Sequence, residues 1–197
     1  MEKISIQNSF EQRKKELKEL IASKEAAAVY EDQYDDLFQT IEQYEDLVRN
    51  NGHLSEYEEK DYLAKKVKIE SFSIKVETLS ELRFILEQLG QTEDEIRMNL
   101  AHENAHANVA QSHGARHEGY IVYFLKNGNI YQTRITFPDH FTQDQVDQIS
   151  EKAIQAPETY GVEGGLSDDD TNQLKEFRDN AQDQELQNRP KGWDYIN

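Results

Sequence analysis

Cysteine and long apolar runs are both missing from this sequence, and each absence excludes a class of protein. Without cysteine there are no disulfide bonds and no cysteine-ligated metal sites. Any transition-metal site must therefore use histidine and carboxylate ligands. No apolar run approaches the roughly 20 residues that span a bilayer, and residues 1–20 lack the apolar centre of a signal peptide. We therefore expect a cytoplasmic protein.

Positive charge is scarce as well. The chain has 22 Lys and Arg against 39 Asp and Glu, which gives a formal net charge of −17. Nucleic-acid binding requires clustered basic residues that neutralise phosphates, so we expect no nucleic-acid partner. Anionic membrane surfaces repel such a chain for the same reason, so we expect no membrane partner. The acidity favours cationic ligands, metal ions among them.

The first half of the sequence reads as helical. Apolar residues recur every three or four positions from Phe10 to Val48, and Asn50-Asn51-Gly52 suits a left-handed helix end. One long helix or two helices broken near Lys24 would both fit. Ser55 to Glu58 forms a capping box that opens another helix. The stretch from Val67 to Val76 alternates like a strand, although its composition also permits a helix.

The second half alternates capped helices with a hairpin. Asn127-Gly128 separates two runs rich in β-branched and aromatic residues, 120–126 and 129–137, and favours a two-residue hairpin turn. Threonine or serine at each start predicts four helices. They begin at Thr78, Thr92, Thr142 and Ser167, and the last reaches about Arg178. The fold class predicted is mainly helical α+β, with a helical N-terminal region and a central β-hairpin.

The motif His102-Glu103-Asn104-Ala105-His106 lies on the predicted helix that starts at Thr92. Two histidines four residues apart leave the same helix face one turn apart, so both imidazoles can bind one metal ion. Zinc lowers the pKa of a bound water to about 7. Glu103 is placed to accept a proton from that water, which predicts a zinc site with Glu103 as general base.

A third ligand is needed, because catalytic zinc sites have three protein ligands and an open fourth position. We consider the remaining histidines and an acidic run as candidates. They are His113, His117, His140 and Asp168-Asp169-Asp170. His113 precedes Gly114 and is interpreted as a helix-end residue, and the other two histidines as surface residues. Acids in a first helical turn can also act only on the helix dipole, which leaves the acidic run open.

The string AHENAHANVA is similar to the AHEAGHA-type motif in the peptidase domain of FtsH-type membrane AAA+ proteases. In that family a β-hairpin follows the motif helix, and an Asp in a segment reading like G-A-S-N-D-L is the third zinc ligand. Gly164-Gly165-Leu166-Ser167-Asp168-Asp169-Asp170 matches that segment, and alignment on Ser167 implies Asp169 as the ligand. The resemblance covers roughly Thr92 to Phe177, and it implies a zincin-like motif helix.

The sequence also departs from that family. Asn104-Ala105 replaces the usual Ala-Gly, and the sequence shows no phosphate-binding loop, ATPase domain or transmembrane helix. We therefore do not expect ATP-driven unfolding of substrates. The domain organisation that follows is a helical N-terminal region (1–66), a metallopeptidase-like domain (67–179) and a flexible tail (180–197).

The function predicted is a small zinc-dependent metallopeptidase that acts on a protein or peptide substrate. His102, His106 and Asp169 would bind zinc, and Glu103 would be catalytic. A second hypothesis is a catalytically inactive, metal-stabilised helical protein-binding module, in which residues 10–66 dock a partner and His113 or Asp168 closes the site. A third is a helical scaffold without a metal.

Overall fold

The computed structural model describes residues 2–168 and 170–175, with side chains described for residues 10–48 and from Gly52 onward. It confirms the mainly helical α+β fold, with a hairpin after the motif helix. The elements, in chain order, are α1 (Glu2–Ala27), α2 (Glu31–Asn51), α3 (Glu56–Ser71), β1 (Ser73–Val76), α4 (Leu79–Gln88), α5 (Glu93–Ser112), β2 (Arg116–Phe124), β3 (Asn129–Thr136), α6 (Gln143–Ile154) and α7 (Ala156–Thr159). Residues 168 and 170–175 are also helical, and we call them the Asp170 segment.

The chain forms two compact units. Unit one contains the chain up to Ile96 together with Gly119–Arg134, and unit two contains Arg97–Glu118 and the chain from Ile135. The boundaries between the two units therefore fall after Ile96, after Glu118 and after Arg134. The domain boundary predicted after residue 66 rests instead on a change in sequence pattern. The predicted tail, 180–197, lies outside the described residues.

Two helices, rather than one, occupy the helical N-terminal stretch. The break falls at residues 28–30, where the backbone of Val29 pairs with the end of β2. The Val29 amide donates to the Phe124 carbonyl at 3.4 Å, and the Val29 carbonyl accepts from the Lys126 amide at 2.7 Å. A residue that bonds to a sheet cannot also complete a helical ladder, so the helix ends there. α2 ends at Gly52, whose φ of 78° is left-handed as predicted.

The stretch Val67–Val76, whose pattern permits either a strand or a helix, is helical in its first half and a strand in its second half. α3 continues to Ser71, and only Ser73–Val76 is a strand. The reason is tertiary packing: Tyr62, Ile69 and Phe72 recur at helical spacing and all contact the core of unit one. The packing of these three side chains favours the helix over the strand that the local alternation suggests. Val67, the first residue of the alternating stretch, is exposed.

The sheet has the strand order β1-β2-β3, and β1 pairs antiparallel with β2 from Ser73 opposite Tyr123 to Val76 opposite Tyr120. Gly119 lies in β2 directly before Tyr120, the partner of Val76, and has a φ of +91°. A Cβ at this position would lie 2.1 Å from the Val76 carbonyl oxygen. Only glycine tolerates both the positive φ and the close backbone approach.

An ion pair joins α1 to α4 within unit one. The Arg13 Nε donates to Glu81 Oε1 at 2.8 Å, and Glu81 Oε2 accepts from the Glu77 amide at 2.9 Å. Burial raises the pKa of Glu81, but the Arg13 and backbone hydrogen bonds outweigh it, so the net pKa is lowered. The carboxylate is therefore held in its charged form by its partners.

Small side chains form the core of unit two. The buried members, on α5, α6, α7 and the loop after α5, are Ala105, Val109, Ala110, Ala115, Ala153 and Ala156. Because alanine adds little bulk, helix backbones that meet through it can approach closely. The close approach brings the C-terminal end of α6 to the motif histidines. Among the described helices, none combines the length and apolar composition needed to cross a membrane.

Candidate metal centre

The two motif histidines face each other on α5. Their rings lie 4.6 Å apart between centroids, and the two Nε2 atoms are 3.0 Å apart. α5 begins after Thr92, whose hydroxyl accepts from the Glu95 amide while Glu95 bonds back to the Thr92 amide. This predicted cap fixes the helix start, and the i, i+4 spacing then aligns the two rings.

A carboxylate from the Asp170 segment reaches the histidine pair. Asp170 Oδ2 lies 3.0 Å from His102 Nε2, and Asp170 Oδ1 lies 3.4 Å from His106 Nε2. One ligand atom of each of the three residues lies within 4.8 Å of the others, so the group could hold a metal ion. The chain thus brings together residues from α5 and from a segment more than 60 positions later.

The spacing of these atoms fits a small divalent ion. Two ligand atoms about 2.0–2.1 Å from a tetrahedral ion lie about 3.3 Å apart. The two Nε2 atoms are 3.0 Å apart, and each lies 3.0–3.4 Å from a different oxygen of Asp170; with one ligand atom from each residue, the three atoms lie within 4.8 Å of one another. Two imidazoles and a carboxylate are a ligand set used for zinc and for other first-row transition metals.

Each of the two histidine rings also has a backbone hydrogen-bond partner. His106 Nδ1 lies 2.7 Å from the Ala153 carbonyl oxygen, and the Gly165 backbone is a hydrogen-bond partner of the His102 ring. A carbonyl only accepts, so Nδ1 of His106 carries the proton and its Nε2 presents a lone pair. This arrangement is typical of metal-ligating histidines, whose second nitrogen donates to a carbonyl or carboxylate.

Charge and burial act in opposite directions on the three groups. Burial lowers the pKa of His106, and neither its bond to Ala153 nor the charge of Asp170 reverses this. Burial also lowers the pKa of His102, but the hydrogen bond and charge of Asp170 outweigh it and the net shift is upward. Burial raises the pKa of Asp170, and the histidines and Ser167 outweigh it, so Asp170 is held as the anion.

Glu103 lies in the interior beside this group. It is 4% exposed, and its negative charge raises the pKa of the neighbouring His102. Consecutive residues on a helix point about 100° apart, so Glu103 extends to one side of the ligand face. Glu103 is therefore a buried carboxylate close enough to the ligand group for its charge to act on His102.

Among the described residues of the acidic run, Asp170 is the one whose carboxylate lies at the histidines. Asp169, which the resemblance implies as the ligand, lies outside the described residues, so its assignment stays a prediction. The signal that could have identified Asp170 is the pair Ser167 and Asp170, which has capping-box spacing and directs the third residue after the cap back toward the helix start. Asp168 is exposed.

None of the other described histidines is a member of this ligand group. His113 Nδ1 bonds to the Val109 carbonyl at 3.0 Å, as suits a helix-end residue, and exposed His140 stacks on Phe141. The hydrogen bonds of the two rings to the backbone of Ala153 and Gly165 were not predicted, because a sequence pattern does not indicate which backbone oxygen a side chain will contact.

No protein-family model, curated protein or solved structure matches this chain. The likeness to the FtsH-type peptidase domain therefore rests on the two motifs alone.

Proposed function

We propose that this chain is a zinc-dependent hydrolase of peptide bonds. The observation that carries the proposal is the cluster of His102, His106 and Asp170. Glu103, which is buried, lies next to His102 on the helix that carries both histidines. Within residues 2–168 and 170–175 the ligand group has three members. Three protein ligands are the number typical of catalytic zinc sites, whereas structural sites usually take four.

In this proposal the two Nε2 atoms and one oxygen of Asp170 hold the ion. A bound zinc ion supplies a Lewis acid that polarises the substrate carbonyl and lowers the pKa of water to about 7. The Ala153 and Gly165 carbonyls keep both rings oriented toward the ion. His102 is half-buried and Asp170 is buried, so the site is sheltered from bulk water.

Glu103 is the general base. Its carboxylate removes a proton from the attacking water while the water oxygen forms a bond to the peptide carbonyl carbon. The same carboxyl group then donates that proton to the amide nitrogen as the carbon–nitrogen bond breaks, so Glu103 ends the cycle as it began. The substrates are proteins or peptides, whose backbone carbonyl is the group that this chemistry attacks.

The test is hydrolysis of an unfolded protein such as denatured casein, measured together with zinc content. The wild-type chain should bind about one zinc ion and cleave the substrate. Glu103→Gln should keep the zinc and lose hydrolysis by about 10²–10⁴-fold, while Glu158→Gln, an exposed glutamate of unit two, should match the wild type. If Glu103→Gln lost zinc as fully as His102→Ala, Glu103 would be a ligand and the proposed mechanism would be wrong.

The second candidate function is a metal-stabilised module that binds another protein. Apolar side chains exposed on α2 and α3 favour it, among them Leu47, Val48, Leu63 and Val67. A cavity of about 350 Å³ lies among Val48, Leu54 and Leu63 in the same region. This candidate predicts a chain that binds zinc without cleaving casein, so the same assay separates the two functions.

A further inference from the structure

Ser167 makes two hydrogen bonds to a single oxygen of Asp170. Its hydroxyl donates to Asp170 Oδ2 at 2.7 Å, and its backbone amide donates to the same oxygen at 2.9 Å. The Asp170 amide donates in return to Ser167 Oγ at 3.0 Å. The cap of the Asp170 segment is therefore also the support of the carboxylate.

Both oxygens of Asp170 face the histidine pair. Oδ2, which accepts the two hydrogen bonds from Ser167, also lies 3.0 Å from His102 Nε2. Oδ1 lies 3.4 Å from His106 Nε2. Ser167 therefore holds the carboxylate with one oxygen toward each ring.

We infer that Ser167 is a positioning residue that holds the Asp170 carboxylate against the histidine pair in the orientation that binds a metal ion. This inference rests on the metal site of the proposed function and not on the peptide hydrolysis. Without the serine hydroxyl, one of the two hydrogen bonds that fix Oδ2 is lost, and the carboxylate can turn away from the two rings.

The experiment is titration of the full chain with Zn²⁺ and with Co²⁺. Ser167→Ala should bind Zn²⁺ at least about tenfold more weakly, the range found when a partner of a metal ligand is removed. The visible absorption spectrum of its bound Co²⁺ should change, because the Asp170 ligand would no longer be held in one orientation. Ser167→Thr, which keeps a hydroxyl, should restore both the affinity and the spectrum.

Two further variants separate positioning from helix capping. Ser55 forms the same kind of capping box at the start of α3 in unit one, so Ser55→Ala removes an equivalent cap far along the chain from the ligands. It should leave metal binding unchanged. Ser167→Gly loses the hydroxyl but keeps most of the capping ability, since glycine costs only a few tenths of a kcal/mol at this position. It should behave like Ser167→Ala.

The outcomes are distinct. Wild-type affinity and an unchanged Co²⁺ spectrum in both Ser167→Ala and Ser167→Gly would overturn the inference. Equal losses in Ser55→Ala and Ser167→Ala would also overturn it, because the effect would then belong to folding. A wild-type chain that binds no metal would overturn the proposed function as well, whereas metal binding without casein cleavage would count against the peptidase alone.

Discussion

Replacing Asp170 by asparagine tests the metal centre most directly. The change removes one negative charge and leaves one acceptor oxygen, which can still bond to the Ser167 hydroxyl and amide. The helical start is therefore preserved, and the effect should fall on the metal. Asp170 is one of three ligand residues, and its side chain is only 10% exposed, so water screens its charge little.

The expected loss of zinc affinity can be estimated from the effect of removing a residue that hydrogen-bonds to a metal ligand. Removing a hydrogen-bond partner of a ligand costs about 10–100-fold in metal affinity. Losing a ligand should cost more, so we expect zinc affinity to fall at least about 100-fold, equivalent to about 2.7 kcal/mol. Competition with a chromophoric chelator measures this directly, with circular dichroism to verify the fold.

Asp168 and Asp169 provide the matched comparisons. Asp168 is exposed, so Asp168→Asn should change zinc affinity by less than about twofold, as expected for a solvated charge. Asp169→Asn tests the ligand that the family resemblance implies. If Asp169→Asn weakened zinc binding more than Asp170→Asn did, the arrangement of Asp170 at the histidines would be refuted as the metal-bound one.

Two other predictions concern stability. Glu81→Gln should destabilise the chain by about 1 kcal/mol at pH 7, discounted because Arg13 is 35% exposed. Since the folded pKa of Glu81 is lowered, its contribution is present above the unfolded pKa and is lost as pH falls through the folded pKa, so urea unfolding of the two proteins should converge at acidic pH. Gly119→Ala should destabilise the chain by more than about 1 kcal/mol in thermal unfolding, because its Cβ meets the Val76 carbonyl oxygen at 2.1 Å. Gly128→Ala, where nothing lies within 4 Å, is the control, and similar losses in both would refute the steric argument.

Local signals in the sequence predicted most of the elements. The capping boxes at Ser55, Thr78 and Thr142 begin helices where expected, and the predicted hairpin forms. Its connection is residues 125–128, and neither Asn127 nor Gly128 has the positive φ expected of a two-residue Asn-Gly turn. The capping boxes and the hairpin depend on neighbours within about four residues, which a residue pattern records directly. The i, i+4 histidines belong to the same class, and the structure places both on one face of α5.

The features that the sequence pattern left open or did not indicate involve contacts made over long separations. The residues from Val67 to Ser71 alternate like a strand, yet they stay helical because Ile69 packs into the core of unit one. The role of the Ala153 carbonyl depends on α6 approaching His106 across 47 positions of the chain. Neither contact is visible within a window of a few residues, because tertiary packing decides both.

The separation between His106 and Asp170 has a consequence for the unfolded chain. A metal ion bound by both residues closes a loop of roughly 60 residues, and in the chain-entropy treatment of cross-links such a closure contributes about 4 kcal/mol of stability. That is comparable to the contribution of a disulfide bond, which a chain without cysteine cannot form. A metal ion at the proposed hydrolytic site would therefore also act as a reversible cross-link of unit two, and chelation would loosen the fold.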